Sequence, residues 1–278
     1  MSKNLILYFS GTGNSLSAAI ELEKQLGDAS VVPILSIDDN YTVSSDTETV
    51  GFVYPIYMNA VSQIMREFIN RIKIDKKCFV YGIATHGGNP GKAGCHLHKV
   101  CKDRDINLKA YFEISMINNT PKGVAPVFLM TMDWEKGITK EFVTPILQQA
   151  VKDIHTIVSS IQTRDTSSME KLLAEEHGFS YHMMKQLWKL SERSNPKLQF
   201  LLDNECSGCD ICEKVCPTNS IKFIESKPHW DSEKCRYCYA CFNFCPVQAI
   251  GVRHYTKKLG RYHHPDIGWE DIAAQKKE

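Results

Sequence analysis

Eight cysteines fall between positions 206 and 245 of this 278-residue chain, in two runs of a single pattern. The first run, "CSGCDICEKVCP", holds Cys206, Cys209, Cys212 and Cys216, followed by Pro217. The second, "CRYCYACFNFCP", holds Cys235, Cys238, Cys241 and Cys245, followed by Pro246. Both read C-x2-C-x2-C-x3-C-P, and the second repeats the first at a constant offset, 206 to 235 and 216 to 245. The remaining cysteines, Cys78, Cys95 and Cys101, are scattered through the first half. In a reducing compartment, clustered cysteines are metal ligands more often than disulfides.

The spacing has a mechanical reading. Three thiolates of a C-x2-C-x2-C loop can wrap three irons of a cube, while the fourth cysteine starts a helix leading away to the other cluster. One [4Fe–4S] cluster is therefore expected on Cys206, Cys209, Cys212 and Cys245, and a second on Cys235, Cys238, Cys241 and Cys216. Structural zinc is the plain alternative, but it favours four ligands in two separated C-x2-C pairs. The segment resembles bacterial-type dicluster ferredoxins over 198–252, which implies low-potential, one-electron carriers.

The first half follows another rhythm. Strand-like runs at 5–9, 31–35, 50–54, 78–84 and 110–117 alternate with amphipathic helical stretches at 15–26, 60–72, 92–103 and 142–162. The polar run between 35 and 49 carries no clear helix. Near-continuous apolar strands alternating with helices predict a parallel sheet covered on both faces. The expected fold is α/β: a flavodoxin-like, doubly wound, five-stranded parallel sheet in the order 2-1-3-4-5, with a small α+β ferredoxin domain. The expected divisions are 1–163 for the first domain, 164–197 for a helical linker, 198–255 for the cysteine-rich domain and 256–278 for a tail.

Directly after the first strand comes "SGTGNS", with Ser10, Gly11, Thr12, Gly13, Asn14 and Ser15. It lacks the Lys-Ser/Thr ending of a nucleotide-triphosphate loop, and Leu16 stands where a dinucleotide fingerprint needs its third glycine. What remains is a tight turn onto a helix N-terminus, where free amides, hydroxyls and the dipole favour an anion. After the third strand comes "YPIYMNA", offering Pro55, Ile56, Tyr57, Met58 and Asn59, with Tyr57 and Met58 as cover for an aromatic ring. After the fourth comes "THGGNPG", with Thr85, His86, Gly87, Gly88 and Asn89. In this topology all three loops lie at the ligand-binding edge of the sheet.

Together the three loops resemble those of flavodoxins, and the resemblance implies FMN, its phosphate held by 10–15. The chain as a whole resembles the flavodoxin–ferredoxin fusion family, including the late "RYHHPDI" at 261–267; 164–197 match no motif. Tyr57 is expected to stack on the ring or line its rim, and His86 to touch the flavin or cap its loop. Asn118 and Asn119 read equally well as an ordinary polar loop end. Cys95, His98 and Cys101 share one side of a helix, where burial explains cysteine better than metal does. The apolar residues of 171–190 read as packing between domains, and His263 and His264 as tail residues without chemistry.

With 43% apolar and 23% charged residues and a net charge of +1, nothing marks a nucleic-acid or membrane partner. The chain is expected to be cytoplasmic, its cofactors FMN and two [4Fe–4S] clusters, and its host anaerobic. Its partner is expected to be a redox protein or a small-molecule electron acceptor. No catalytic side chain stands out. The expected role is electron transfer between clusters and flavin, converting one- and two-electron chemistry. A ferredoxin-fed FMN reductase of a quinone, nitro or unsaturated compound, or a redox sensor, are the alternatives.

Overall fold

A computed structural model describes residues 2–57, 59–121, 138–176, 183, 186, 200–252 and 261–277. The first half forms a parallel sheet from β1 (Asn4–Tyr8), β2 (Ala29–Pro33), β3 (Thr49–Tyr57), β5 (Phe79–His86) and β6 (Leu108–Ser115), in the order β2-β1-β3-β5-β6. A two-residue strand, β4 (Ala60–Val61), folds back antiparallel onto β3. Counting parallel strands alone, this is the 2-1-3-4-5 order expected from the sequence. The chain moves one way from β1 to β2 and the other way from β3 onward. Right-handed crossovers therefore place α1 (Asn14–Leu26) on one face and α2 (Gln63–Ile69) and α3 (Ala93–Lys102) on the opposite one. The long α4 (Lys140–Gln162) packs beside α1. Ile6, Leu7, Phe9, Phe52 and Val53 are fully buried between these layers, which is why the central strands read as unbroken apolar runs.

Two local expectations change. The polar run after β2 makes only a 3₁₀ turn (Ile34–Ser36) and an isolated bridge from Thr42 to Lys73. The "YPIYMNA" segment is not a loop throughout: β3 continues to Tyr57, and the chain reverses into β4 with Asn59 at φ 58°. Met58 lies outside the described residues. Likewise Thr85 and His86 close β5 rather than opening a loop.

The stretch read as a linker begins with α5 (Ser167–Glu176), which docks on the sheet edge. The Tyr111 amide of β6 donates to Ser168 Oγ at 3.1 Å, covering an edge strand, and Met169 and Leu172 are buried. Leu172 lies over Gly94, and its carbonyl accepts from the Cys95 thiol. Leu173 and Met183 are exposed, whereas Phe179, Met184, Leu187 and Trp188 lie outside the described residues. Burial raises the Cys101 thiol to about 12, the chemistry of a packed cysteine.

The cysteine-rich module is a pseudo-symmetric pair. Strand β7 (Phe200–Leu202) pairs antiparallel with β10 (Ile250–Val252), and β8 (Ile221–Ile224) pairs with β9 (Lys227–Trp230). Two four-residue helices, α6 (Ile211–Lys214) and α7 (Ala240–Asn243), sit at equivalent places in the two runs. The sequence repeat is repeated in the backbone. Gly208 and Tyr237, Asp210 and Tyr239, and Asn219 and Gln248 all adopt positive φ. These left-handed residues bend each cysteine loop inward on itself. Segment 261–277, carrying α8 (Trp269–Ala273), then returns to the first half of the molecule.

Candidate cofactor sites and the seam between them

The eight cysteines line two separate spaces. Cys206, Cys209, Cys212 and Cys245 surround one of about 290 Å³, closed by Phe223, Pro228 and Ile250. Cys216, Cys235, Cys238 and Cys241 surround the other, of about 300 Å³, closed by Phe200, Ile221 and Trp230. The fourth cysteine of each run therefore sits with the first three of the other run. Each of these two sulfurs also accepts an amide at 3.3 Å, Cys216 from Ser220 and Cys245 from Ala249. Burial pushes the Cys212 thiol up to about 12, with Cys245, Cys209 and Cys206 adding to the shift. Cys241 is raised by burial first and then by Cys238, Cys216 and Cys235. Neutral thiols this buried must release protons to bind metal. Among the described residues no three His, Cys, Asp or Glu side chains converge closely enough for a single ion. Four sulfurs around each space, with amides aimed at Cys216 and Cys245, fit a polynuclear cluster.

The phosphate loop runs from β1 into α1. Gly13 caps the helix at φ 100°, a conformation that favours glycine, and its amide donates to Ser10 Oγ at 3.0 Å. The amides of Gly11, Thr12, Asn14 and Ser15 have no acceptor among the described residues, although Gly11, Thr12 and Ser15 are buried. Buried amides require a partner, and these three, with the half-buried Asn14, at the start of a 13-residue helix make an anion cradle. Thr12 Oγ1 accepts from the Asn119 amide at 2.8 Å, which leaves its proton free to donate. Ser15 Oγ and Thr85 Oγ1 share a hydrogen bond of 2.8 Å. These features fit a phosphate held by neutral donors, and FMN carries one.

At the ring end, Pro55 is buried, Ile56 is half-buried and Asn59 is exposed. His86 Nδ1 pairs with the Gly88 carbonyl, so this imidazole caps its own loop. Gly87 lies directly against the Asn118 backbone, Gly88 is open, and Asn89 Oδ1 accepts the Gly91 amide at 2.8 Å. Tyr57 is placed unexpectedly. A β-carbon on Gly11 would lie 2.5 Å from the Tyr57 hydroxyl oxygen and 2.8 Å from the Cys238 carbonyl oxygen. The tyrosine thus reaches the seam between phosphate loop and cysteine loop. Its hydroxyl is buried without a well-formed hydrogen bond, with Asn119 alongside, and its pKa is raised by burial, then by Cys238 and Tyr239.

Sequence reasoning missed the residues that close this seam. The Asn243 amide donates to the carbonyls of Asn119 and Tyr239, both at 3.0 Å, so Thr12, Asn119, Asn243 and Tyr239 form one connected chain. The segment expected as an idle tail crosses the phosphate loop. The His264 amide donates to the Thr12 carbonyl at 2.8 Å, and the Tyr262 hydroxyl to Asn14 Oδ1 at 3.0 Å. Gln275 grips the Ser10 backbone from both sides, accepting its amide and donating to its carbonyl, each at 2.9 Å. His264 and Ile267 lie over Gly13, leaving no space for a β-carbon there. Arg261 stands 4.0 Å over the Phe242 ring and donates to the Phe242, Gln248 and Ile250 carbonyls, tying the segment to the cysteine module. "RYHHPDI" was the available signal for this closure.

Residues 205–249 match the 4Fe-4S dicluster domain. Over 48 residues the chain is 46% identical to a component of the ion-translocating oxidoreductase complex of Methanosarcina acetivorans, a match covering 17% of this chain and 18% of that one. It is 31% identical over 85 residues to an uncharacterized polyferredoxin-like protein of Methanocaldococcus jannaschii, covering 26% and 48%. The chain thus spans less than half the length of the curated relatives it matches. Among solved structures, a flavoprotein of Lactobacillus acidophilus in complex with FMN covers 41% of this chain and 93% of its own, at 12% identity and TM-score 0.30. An FMN-dependent NADH-azoreductase of Bacillus anthracis covers 58% and 99%, at 10% identity and TM-score 0.38. With its own sheet order on one side and the matched domain on the other, the chain is a flavodoxin-like α/β unit fused to a 4Fe–4S dicluster ferredoxin domain.

Proposed function

We propose that this protein is a cytoplasmic electron-transfer flavoprotein that binds FMN and two [4Fe–4S] clusters and moves electrons between them. The observation that carries the reading is the seam: the phosphate loop at Gly11 rests directly on the Cys238 loop. A phosphate cradle packed against a cluster cradle sets the two cofactor sites side by side. FMN exchanges electrons singly or in pairs and clusters exchange them singly, so the pair converts between the two regimes.

In this reading the amides of Gly11, Thr12, Asn14 and Ser15 and the hydroxyls of Ser10 and Thr12 hold the phosphate. Asn119 orients the Thr12 hydroxyl, and Thr85 orients that of Ser15. Tyr57, Tyr262 and His264 keep water from the loop. Burial holds the His264 imidazole below its usual range, so it adds little charge near the dianion. Cys206, Cys209, Cys212 and Cys245 hold one cluster, and Cys235, Cys238, Cys241 and Cys216 the other.

The test is direct. Protein purified without oxygen carries about eight irons and one FMN per chain. Thr12→Val keeps the irons but weakens flavin binding by about tenfold, the loss of one hydrogen bond to a charged group. Two zinc ions and no flavin would refute the proposal.

A further inference from the structure

The two cysteine sets are not equally placed toward the flavin-type site. The side chains of the sheet domain that meet a cysteine loop meet the second run, whereas the first run touches the closing segment, Lys214 lying over Trp269 and Lys276 donating to the Glu213 carbonyl. Cys238 lies against Gly11, Asn243 donates to the Asn119 carbonyl, and Arg236 Nη2 lies 3.2 Å from Glu67 Oε1 on α2. The set containing Cys206 has other surroundings. Both spaces are lined by the cysteine module itself, but around this one Cys209 is exposed and Cys206 and Cys245 are half-buried. Cys238 and Cys241 are buried.

We infer that the cluster on Cys216, Cys235, Cys238 and Cys241 is the one that exchanges electrons with the flavin. The cluster on Cys206, Cys209, Cys212 and Cys245 is then the outer station, meeting an external one-electron carrier. This ordering rests on the function proposed above. Reducing one FMN to FMNH2 takes two electrons and two protons. Each of two successive transfers returns the flavin-facing cluster from [4Fe–4S]1+ to [4Fe–4S]2+. The outer cluster restores it each time and is itself re-reduced by a small low-potential ferredoxin, while the protons come from solvent. The connected path Thr12–Asn119–Asn243–Tyr239 and the Gly11–Cys238 contact join the second run directly to the phosphate loop.

The experiment uses full-length protein loaded anaerobically with FMN and iron–sulfur clusters. Reduced small ferredoxin is mixed with it, and the visible band of the flavin is followed by stopped flow. In parallel, EPR-monitored potentiometric titrations are run with FMN bound and with FMN stripped. Cys235→Ser removes the flavin-facing cluster. It should keep a carrier-reducible cluster but lose rapid flavin reduction, and its remaining potential should not move when FMN is stripped. Cys209→Ser removes the outer cluster at an exposed position, and the potential of its surviving cluster should shift on stripping. Wild-type flavin reduction in Cys235→Ser, or a flavin-sensitive potential in that variant, would overturn the ordering. If Cys235→Ser does not fold, the Cys209→Ser titration decides alone: a shift supports the ordering and no shift overturns it. Wild-type protein that binds no flavin or no clusters refutes the proposed function instead, so the two failures are distinguishable.

Discussion

The two cysteine loops share one spacing and one backbone course, yet they have opposite surroundings. Between its cysteines the first loop carries Ser207, Gly208, Asp210, Ile211, Glu213, Lys214 and Val215; the second carries Arg236, Tyr237, Tyr239, Ala240, Phe242, Asn243 and Phe244 at the equivalent places. The first set is mostly polar or charged, with Ile211 and the buried Val215 as its apolar side chains. The second is largely aromatic, and Tyr239, Phe242 and Phe244 are buried. Ligand spacing thus builds the cradle, and the residues between the ligands decide what the cradle faces. Duplication supplied two equal halves, and substitution at non-ligand positions gave one of them a neighbour.

The comparison can be sharpened first where the loops are alike. Cys216→Ser should disturb the cluster of the second run and Cys245→Ser that of the first, each lowering iron from about eight to about four per chain. EPR that shows each substitution affecting its own run would break the symmetry at its root. The next largest effect lies where the loops differ. Phe242 is fully buried beneath Arg261, while its counterpart Glu213 forms only a loose ion pair with Lys222 at 3.5 Å. Phe242→Ala should cost about 3–5 kcal/mol in chemical denaturation. Glu213→Ala should cost less than about 1 kcal/mol. Equal losses would mean that both loops are equally packed.

A smaller effect is expected from pH. His264, on the segment that closes the seam, has its pKa lowered by burial; Asp266 pulls it up and His263 pushes it down. The unfolded chain therefore binds a proton more readily than the folded one, and stability falls as pH drops below the ordinary histidine value of about 6.5. Flavin release followed by fluorescence should increase between about pH 7 and pH 5, and His264→Gln should flatten that profile. Smallest of all is Arg236→Ala, which removes a partly exposed ion pair with Glu67 that has no equivalent at Ser207. It should change the midpoint of thermal unfolding by less than about 1 kcal/mol equivalent. A larger loss would make charge rather than packing the basis of the seam.

Much of this was legible in the chain itself. The strand expected at 5–9 is seen at 4–8, and the helix expected at 15–26 at 14–26, because a sheet buried on both faces leaves an uninterrupted apolar signature. The cysteine pairing across runs follows from spacing alone. What stayed hidden was long-range and polar. Gln275 has no local signature, since its partner Ser10 lies 265 residues away. Tyr57 looked like ring cover because its neighbourhood is shared with Cys238, a residue of the other module. Asn119 read singly as a loop end, and Asn243 stood out by nothing in its own surroundings. Their meaning appears only when the two modules meet. The aromatic bias of the second loop was a readable hint, written in the same letters as the ligands.

The Gln275 clasp on Ser10 has a consequence for how the protein is made. Residue 10 leaves the ribosome early, but its backbone partner is synthesised 265 residues later. Closing so long a loop is slow, and it cannot precede the ordering of the segment that carries it. The first loop to be translated is therefore among the last to be finished. A nascent chain can form its sheet early, but the clasped form of the loop at Ser10 must await the cysteine module and the segment beyond it.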